Sequence, residues 1–217
     1  WARDVYKRQA LMAVTLSSCS DEEYSTEMML SDIVTVTSVG NDTRFEFQRY
    51  DDSPLIKLTA GNVDLPEKIV NNRVLLRYYP ESGEPYVSGA IKVVGLTLIN
   101  NDTTRIRPIE KYNWTATPVF LNSIWRTGNY LNLRMKVEYS EKPRQFGLVV
   151  DSLTLKNPQP EVYLVHDKQG QPENYMMETY ASFDMTNVWS LPTCQSIKVH
   201  VNDINLKKDV YIFTKKQ

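Results

Sequence analysis

The chain has 217 residues, of which 41 % are hydrophobic and 24 % charged, with 13 tyrosines and a net charge of −1. This is the composition of a globular chain and not of a disordered one. Charge so close to zero excludes a global basic field that would gather nucleic acid or anionic lipid. Two cysteines exclude a disulfide framework and a cysteine-rich zinc site.

Taken in order, the chain opens on Asp4-Val5-Tyr6-Lys7-Arg8-Gln9, which looks like a translated sequencing adapter. The apolar run Ala10–Leu16 is too short to span a bilayer and fits the end of a signal-peptide core. Residues 1–18 therefore read as an adapter-like artefact plus a truncated lipoprotein signal peptide. Leu16-Ser17-Ser18-Cys19 resembles a bacterial lipobox: the small residues admit the peptidase, and the Cys19 sulfur takes a diacylglycerol. Each buried methylene of such an anchor contributes about 0.8 kcal/mol, so two or more chains hold stably. Ser20, Asp21, Glu22 and Glu23 follow at once and are similar to the acidic export signal of surface lipoproteins in anaerobic gut-type Gram-negative bacteria. The expected location is the outer membrane, lipid-anchored and surface-exposed. A solvated tether facing the periplasm is the alternative. Residues 19–29 form that acidic tether, and the lipid is the one membrane contact expected.

From Leu30 the apolar residues alternate with period two, interrupted every ten or so residues by turn chemistry. Strands are expected at 33–39, 44–49, 55–58, 74–79 and 90–99, with turns at Gly40-Asn41-Asp42 and Asp51-Asp52-Ser53-Pro54. Gly95 is expected to mark a bulge or a barrel corner. Asp64 and Pro66 are placed to open a single helical turn. Five strands in roughly 80 residues suit an OB-like barrel, assigned to residues 30–111. The charged, proline-bearing stretch ending at Lys111 reads as the linker.

Residues 112–217 then read as a β-sandwich. Leu131, Leu133, Met135, Val137 and Tyr139 alternate with Asn132, Arg134, Lys136 and Glu138 in the clearest amphipathic strand of the chain. Gly128-Asn129 before it is a tight turn. Further strands are expected at 145–150, 162–166, 179–184, 197–202 and 210–214. The fold class is thus all-β: a five-stranded OB-like barrel followed by a sandwich.

The lipobox, the small barrel and the central block VFLNSIWRTGNYLNLRMKVEY together resemble the NigD-like family, over residues 19 to 217. Ile124-Trp125 before Gly128, then Tyr130-Leu131-Asn132-Leu133, carry most of the likeness. The resemblance implies an N-terminal OB domain, a C-terminal sandwich and a part in immunity to a secreted toxin, since the family takes its name from a bacteriocin-associated operon. It brings no catalytic residue.

Sites of chemistry are sparse. His166 and His200 are the two histidines, in no metal-ligand spacing. His166-Asp167 reads as a polar pair at a strand end, and His200 as a solvent-facing strand residue. No Gly-x-Ser-x-Gly elbow or phosphate loop occurs. Phe45, Phe47, Tyr78 and Tyr79 interleave with Arg44, Arg49 and Arg77, as in barrels that stack single-stranded nucleic acid. With as many acidic residues nearby, a packed core is the preferred reading, and no nucleic-acid partner is expected. Cys194 reads as a small buried hydrophobe. Trp125 reads as core, whereas Trp114, Tyr130 and Trp189 are candidates for a surface that stacks on a protein or glycan ligand. The expectation is a non-catalytic interaction protein without metal or cofactor. An envelope enzyme or its accessory subunit, with a polar pocket near His166 or His200, is the alternative.

Overall fold

A computed structural model describes residues 28–61, 63–111, 117–141, 144–168, 170, 172 and 174–215. Cys19, the acidic residues 20–23 and Trp114 lie outside them.

The first five strands are β1 Leu30–Ser38, β2 Thr43–Phe47, β3 Ile56–Ala60, β4 Arg73–Pro80 and β5 Gly89–Leu98. They close into a barrel in the order β1-β2-β3-β5-β4, the OB-like arrangement expected. The period-two pattern explains the closure. Leu30, Val34 and Val36 of β1, Phe45 and Phe47 of β2, and Val74, Leu76 and Tyr78 of β4 all turn inward and are buried. Three of the four aromatic residues interleaved with arginine thus fill the core and form no outer platform. Val94 is the extra residue of a bulge opposite Arg77-Tyr78, next to Gly95, as that glycine led one to expect. After Pro66 the chain makes one 3-10 turn, Glu67–Ile69, without a side-chain cap from Asp64.

The remaining strands are β6 Asn100–Thr103, β7 Arg105–Arg107, β8 Phe120–Thr127, β9 Tyr130–Glu138, β10 Gln145–Asp151, β11 Glu161–Asp167, β12 Met176–Asp184, β13 Ser196–His200 and β14 Val210–Thr214. They form two sheets, β14-β13-β11-β10-β7 and β6-β12-β9-β8. The apolar rows Leu131-Leu133-Met135-Val137, Leu148-Val150, Val162-Leu164 and Ile197-Val199 face one another across the sandwich. A short helix, α1 Thr186–Trp189, closes one end.

The division expected after residue 111 is corrected by this topology. β6 pairs parallel with β12, and β7 parallel with β10, so the sandwich sheets begin at Asn100. Both are short edge strands, β6 of Asn, Asp and Thr and β7 of Arg105-Ile106-Arg107, with Ile106 packed against the sandwich core. Polar residues suit an exposed edge, but in β6 they erase the alternation by which a strand is recognised, and β7 is too short at three residues to display one.

Candidate functional site

The sandwich face that meets the barrel is set by a register break in β8. Val119 and Leu121 turn into the sandwich core, and so does Ile124 three residues on. A spacing of three is incompatible with an unbroken strand. The register shifts between Leu121 and Ser123, which leaves Asn122 as the extra residue of a bulge. From there the alternation is inverted, and Trp125 points out of the sandwich, partly exposed. The expected core role of Trp125 is thereby corrected. On β9 and β12, unbroken alternation turns Asn132, Arg134, Tyr180 and Ser182 outward. Pairing aligns two rows across the three strands, Ser123–Arg134–Tyr180 and Trp125–Asn132–Ser182.

The β1–β4 side of the barrel sits on this face. Its keystone is Arg73, 4 % exposed. The Arg73 Nε donates to Ser182 Oγ at 3.1 Å, Nη2 to Asn132 Oδ1 at 3.4 Å and Nη1 to Thr35 Oγ1 at 3.1 Å. Ser182 Oγ also donates to Asn132 Oδ1 at 2.8 Å, and Asn132 Nδ2 donates to Thr127 Oγ1 at 2.8 Å. The guanidinium lies 4.1 Å over the Tyr130 ring. Burial lowers its pKa to about 10, against the opposing pull of Tyr130 and Asp184, so Arg73 stays charged at neutral pH. A second contact is the β8–β9 turn. Gly128 has φ of +55°, and a Cβ there would come within 2.0 Å of Gln48 Oε1. Gln48 is itself held by its Nε2 bond to the Ser53 carbonyl, 2.7 Å.

Beside this junction an open cleft of about 440 Å³ remains, inside the range of roughly 300–1,000 Å³ usual for small-ligand sites. The barrel lines it with Ser31, Asp32, Ile33, Phe47, Gln48, Arg49 and Leu75, the sandwich with Ser123, Trp125, Thr127, Asn132, Arg134 and Tyr180. Its charges are answered locally. Glu178 Oε2 accepts from Arg134 Nε and Nη2 at 2.9 and 2.7 Å, and its Oε1 accepts from Tyr180 Oη at 2.8 Å. These bonds hold the Glu178 carboxyl below the usual carboxylate range. The Arg49 guanidinium lies 3.6 Å over the Tyr86 ring. Asp32 accepts from Tyr78 Oη at 3.1 Å. Burial nevertheless pushes the Asp32 carboxyl above its ordinary range, opposed by that hydrogen bond and by Arg49. A carboxyl raised by burial inside a cleft makes the cleft a candidate functional site.

The candidates named from the sequence fall elsewhere. Tyr130 is partly buried and stacks on Arg73 at the junction. Trp189 is 4 % exposed in the sandwich core, with Arg126 4.0 Å over its ring. Neither lines the cleft. His166 lies at the end of β11, as expected, but is buried there. It stacks on Phe146 at 4.6 Å, its Nδ1 lies 3.3 Å from the Thr117 carbonyl, and its Nε2 lies 3.4 Å from Arg144 Nη1. Arg144 has only donors, so Nε2 must accept and Nδ1 carries the proton. Burial, and then the Arg144 charge, lower its pKa. His200 stacks on Tyr163 at 4.5 Å and bonds Glu161, which also receives Lys198 Nζ at 3.1 Å. Cys194 is buried, its thiol pKa raised by that burial. Among the described residues no three His, Cys, Asp or Glu side chains come together to hold a metal ion. No described helix is long and apolar enough to cross a membrane.

Of the cleft residues, Asp32, Gln48, Arg134 and Tyr180 carried no signal of function in the sequence. Trp125 did carry one, in the apolar spacing Leu121 to Ile124.

The model of the NigD-like C-terminal β-sandwich domain matches residues 106–215. No curated protein matches the chain. Among solved structures, a protein of unknown function from Bacteroides vulgatus superposes with a TM-score of 0.68 at 19 % identity, over 88 % of this chain and 92 % of that one. A NigD-like immunity protein from Bacteroides caccae superposes at 0.59 and 21 %, over 85 % and 91 %. A Bacteroides fragilis protein provisionally named a lipoprotein superposes at 0.61 and 14 %, over 88 % and 99 %. At these identities the likeness is one of fold.

Proposed function

The chain belongs to the NigD-like family, and on that premise we propose that it is a non-catalytic binding lipoprotein whose cleft between barrel and sandwich holds a ligand in defence against a secreted toxin. The observation that carries this reading is the cleft itself. Trp125, Tyr180 and Asp32 stand in it without contributing to either hydrophobic core, and a partly buried carboxyl there costs stability. The name of the Bacteroides caccae immunity protein, which shares the fold, supports the toxin link. The placement of His166 and His200 away from the cleft, each with its own partners, favours binding over catalysis. On this reading Cys19 carries the lipid, Ser20–Glu23 direct the protein to the outer face of the outer membrane, and the ligand is a protein or glycan met there.

Two measurements test it. Intact cells treated with protease should lose a C-terminally tagged full-length protein, and Cys19→Ser should release it from the membrane fraction. Cells expressing the wild-type chain should survive a bacteriocin-producing competitor better than cells expressing Trp125→Ala at equal abundance. Equal survival of the two would overturn the assignment of the cleft.

A further inference from the structure

Resting on the reading of the cleft as the binding site, we propose that its ligand is a neutral oligosaccharide, bound by stacking of pyranose rings on Trp125 and Tyr180. The argument begins with charge. Arg134 is taken by both bonds to Glu178, Arg49 lies on the Tyr86 ring, and Asp32 is held by Tyr78. The charges at the cleft thus come in opposite pairs, Arg134 with Glu178 and Arg49 in electrostatic range of Asp32, and no excess of one sign selects a carboxylate, a phosphate or an ammonium. A charged peptide or an acidic glycan would meet as much like charge as opposite charge there.

What the cleft does present is flat and amphipathic. Trp125 and Tyr180 stand on one sheet face, on the outer two of three neighbouring strands and in adjacent rows, with Asn132 and Arg134 on the strand between. The Tyr180 ring is fixed by its hydroxyl bond to Glu178 at 2.8 Å. Arg134 is anchored to the same carboxylate at 2.7 and 2.9 Å. The electron-rich faces of aromatic rings attract the weakly positive C–H bonds of a pyranose face. The rim meets the sugar's other requirement. Ser31 and Asp32 on the barrel and Ser123 on the sandwich are small polar groups facing the same space. Hydroxyls bond both hydroxyls and carboxyls without needing a net charge. The volume, about 440 Å³, leaves room for a short saccharide. The barrel wall and the sheet are joined through buried Arg73, so both sides are placed before a ligand arrives, which lowers the ordering cost of binding.

The test is calorimetric titration of the purified full chain with neutral di- to tetrasaccharides of glucose, mannose, galactose and N-acetylglucosamine, and with uronate and sulfated members of the same lengths. The expected result is binding of a neutral member with an affinity that does not change between low and high salt. Trp125→Ala should weaken it at least about tenfold, the effect of truncating an aromatic anchor. Trp125→Phe, which keeps a stacking ring, should retain most of it, and so guards against a misfolded alanine variant. Preference for the acidic members, with affinity falling as salt rises, overturns the proposal. So does an absence of binding to every saccharide. In that last case the survival assay separates the two claims: if Trp125→Ala still loses protection, the cleft is a binding site for a protein and only the sugar assignment falls, whereas equal protection removes both.

Discussion

The barrel and the sandwich bury their apolar residues in the same way but treat their outer faces differently. The barrel encloses Phe45, Phe47 and Tyr78 and offers the sandwich a mixed β1–β4 surface of Ile33, Leu75, Thr35 and Arg73. The sandwich meets it with Asn132, Ser182, Thr127 and Tyr130, a polar patch. Arg73 turns that patch into a hydrogen-bonded junction. An apolar junction would have closed over its whole extent, since burial rewards every contact without direction. A polar one fixes placement only where partners align, and the unaligned remainder of the face stays open as the cleft. Specificity of placement and the presence of a site therefore share one cause.

The largest effect is expected from removing the keystone. Arg73→Ala removes the charged donor shared by Ser182, Asn132 and Thr35 and empties its place in a buried junction, at about 3 kcal/mol. Urea unfolding should then separate into two transitions, a barrel and a sandwich, where the wild type shows one. A single transition at the wild-type midpoint would mean that the domains are coupled some other way. Gly128→Val acts on the second contact. It combines a left-handed backbone with a collision against Gln48 and should cost about 2 kcal/mol, read as a lower Tm. Gly147→Ala, where a Cβ meets nothing within 4 Å, serves as the neutral control.

A smaller effect distinguishes the sandwich from the barrel by pH. His166 is held neutral by burial and by Arg144, with Phe146, Thr117 and Asp167 around it. Its folded pKa is depressed, so the unfolded chain binds the proton more readily. Stability should therefore fall as pH drops below 6.5. The expected loss is about 2–4 °C in Tm. His166→Gln should flatten that slope, and an unchanged slope would assign it to other groups. The smallest effect has the opposite sign. The Asp32 carboxyl is raised in the folded state, so its ionised form costs stability at neutral pH. Asp32→Asn keeps an acceptor for Tyr78 and should raise the Tm by about 2 °C, while weakening ligand binding. A drop in Tm would show that the carboxylate supports the fold.

Why the sequence revealed the barrel and hid the site follows from the same contrast. The barrel strands and β9 to β14 announce themselves because one face is buried and the other wet, which is what period two records. β6 leaves no such record because it is polar throughout, and β7 because it has only three residues. The cleft combines residues from β1, β2, β8, β9 and β12, and no local pattern reports that strands so distant in sequence converge. Tyr130 and Trp189 were singled out for being aromatic, yet one serves the junction and the other the core. Trp125, expected in the core as a large aromatic residue of a sandwich, is turned outward by the bulge at Asn122. Arg73 looks like any strand-end cation until its buried partners, more than fifty residues away, are known.

The most direct test of the cleft is photo-crosslinking in intact cells. A benzophenone side chain is placed at Trp125 and, as a control, at Ile212, which is 61 % exposed on β14 of the other sheet. A specific product from position 125 and none from 212 is the predicted result. Products from 212 alone, or equally from both, would contradict a binding site between barrel and sandwich.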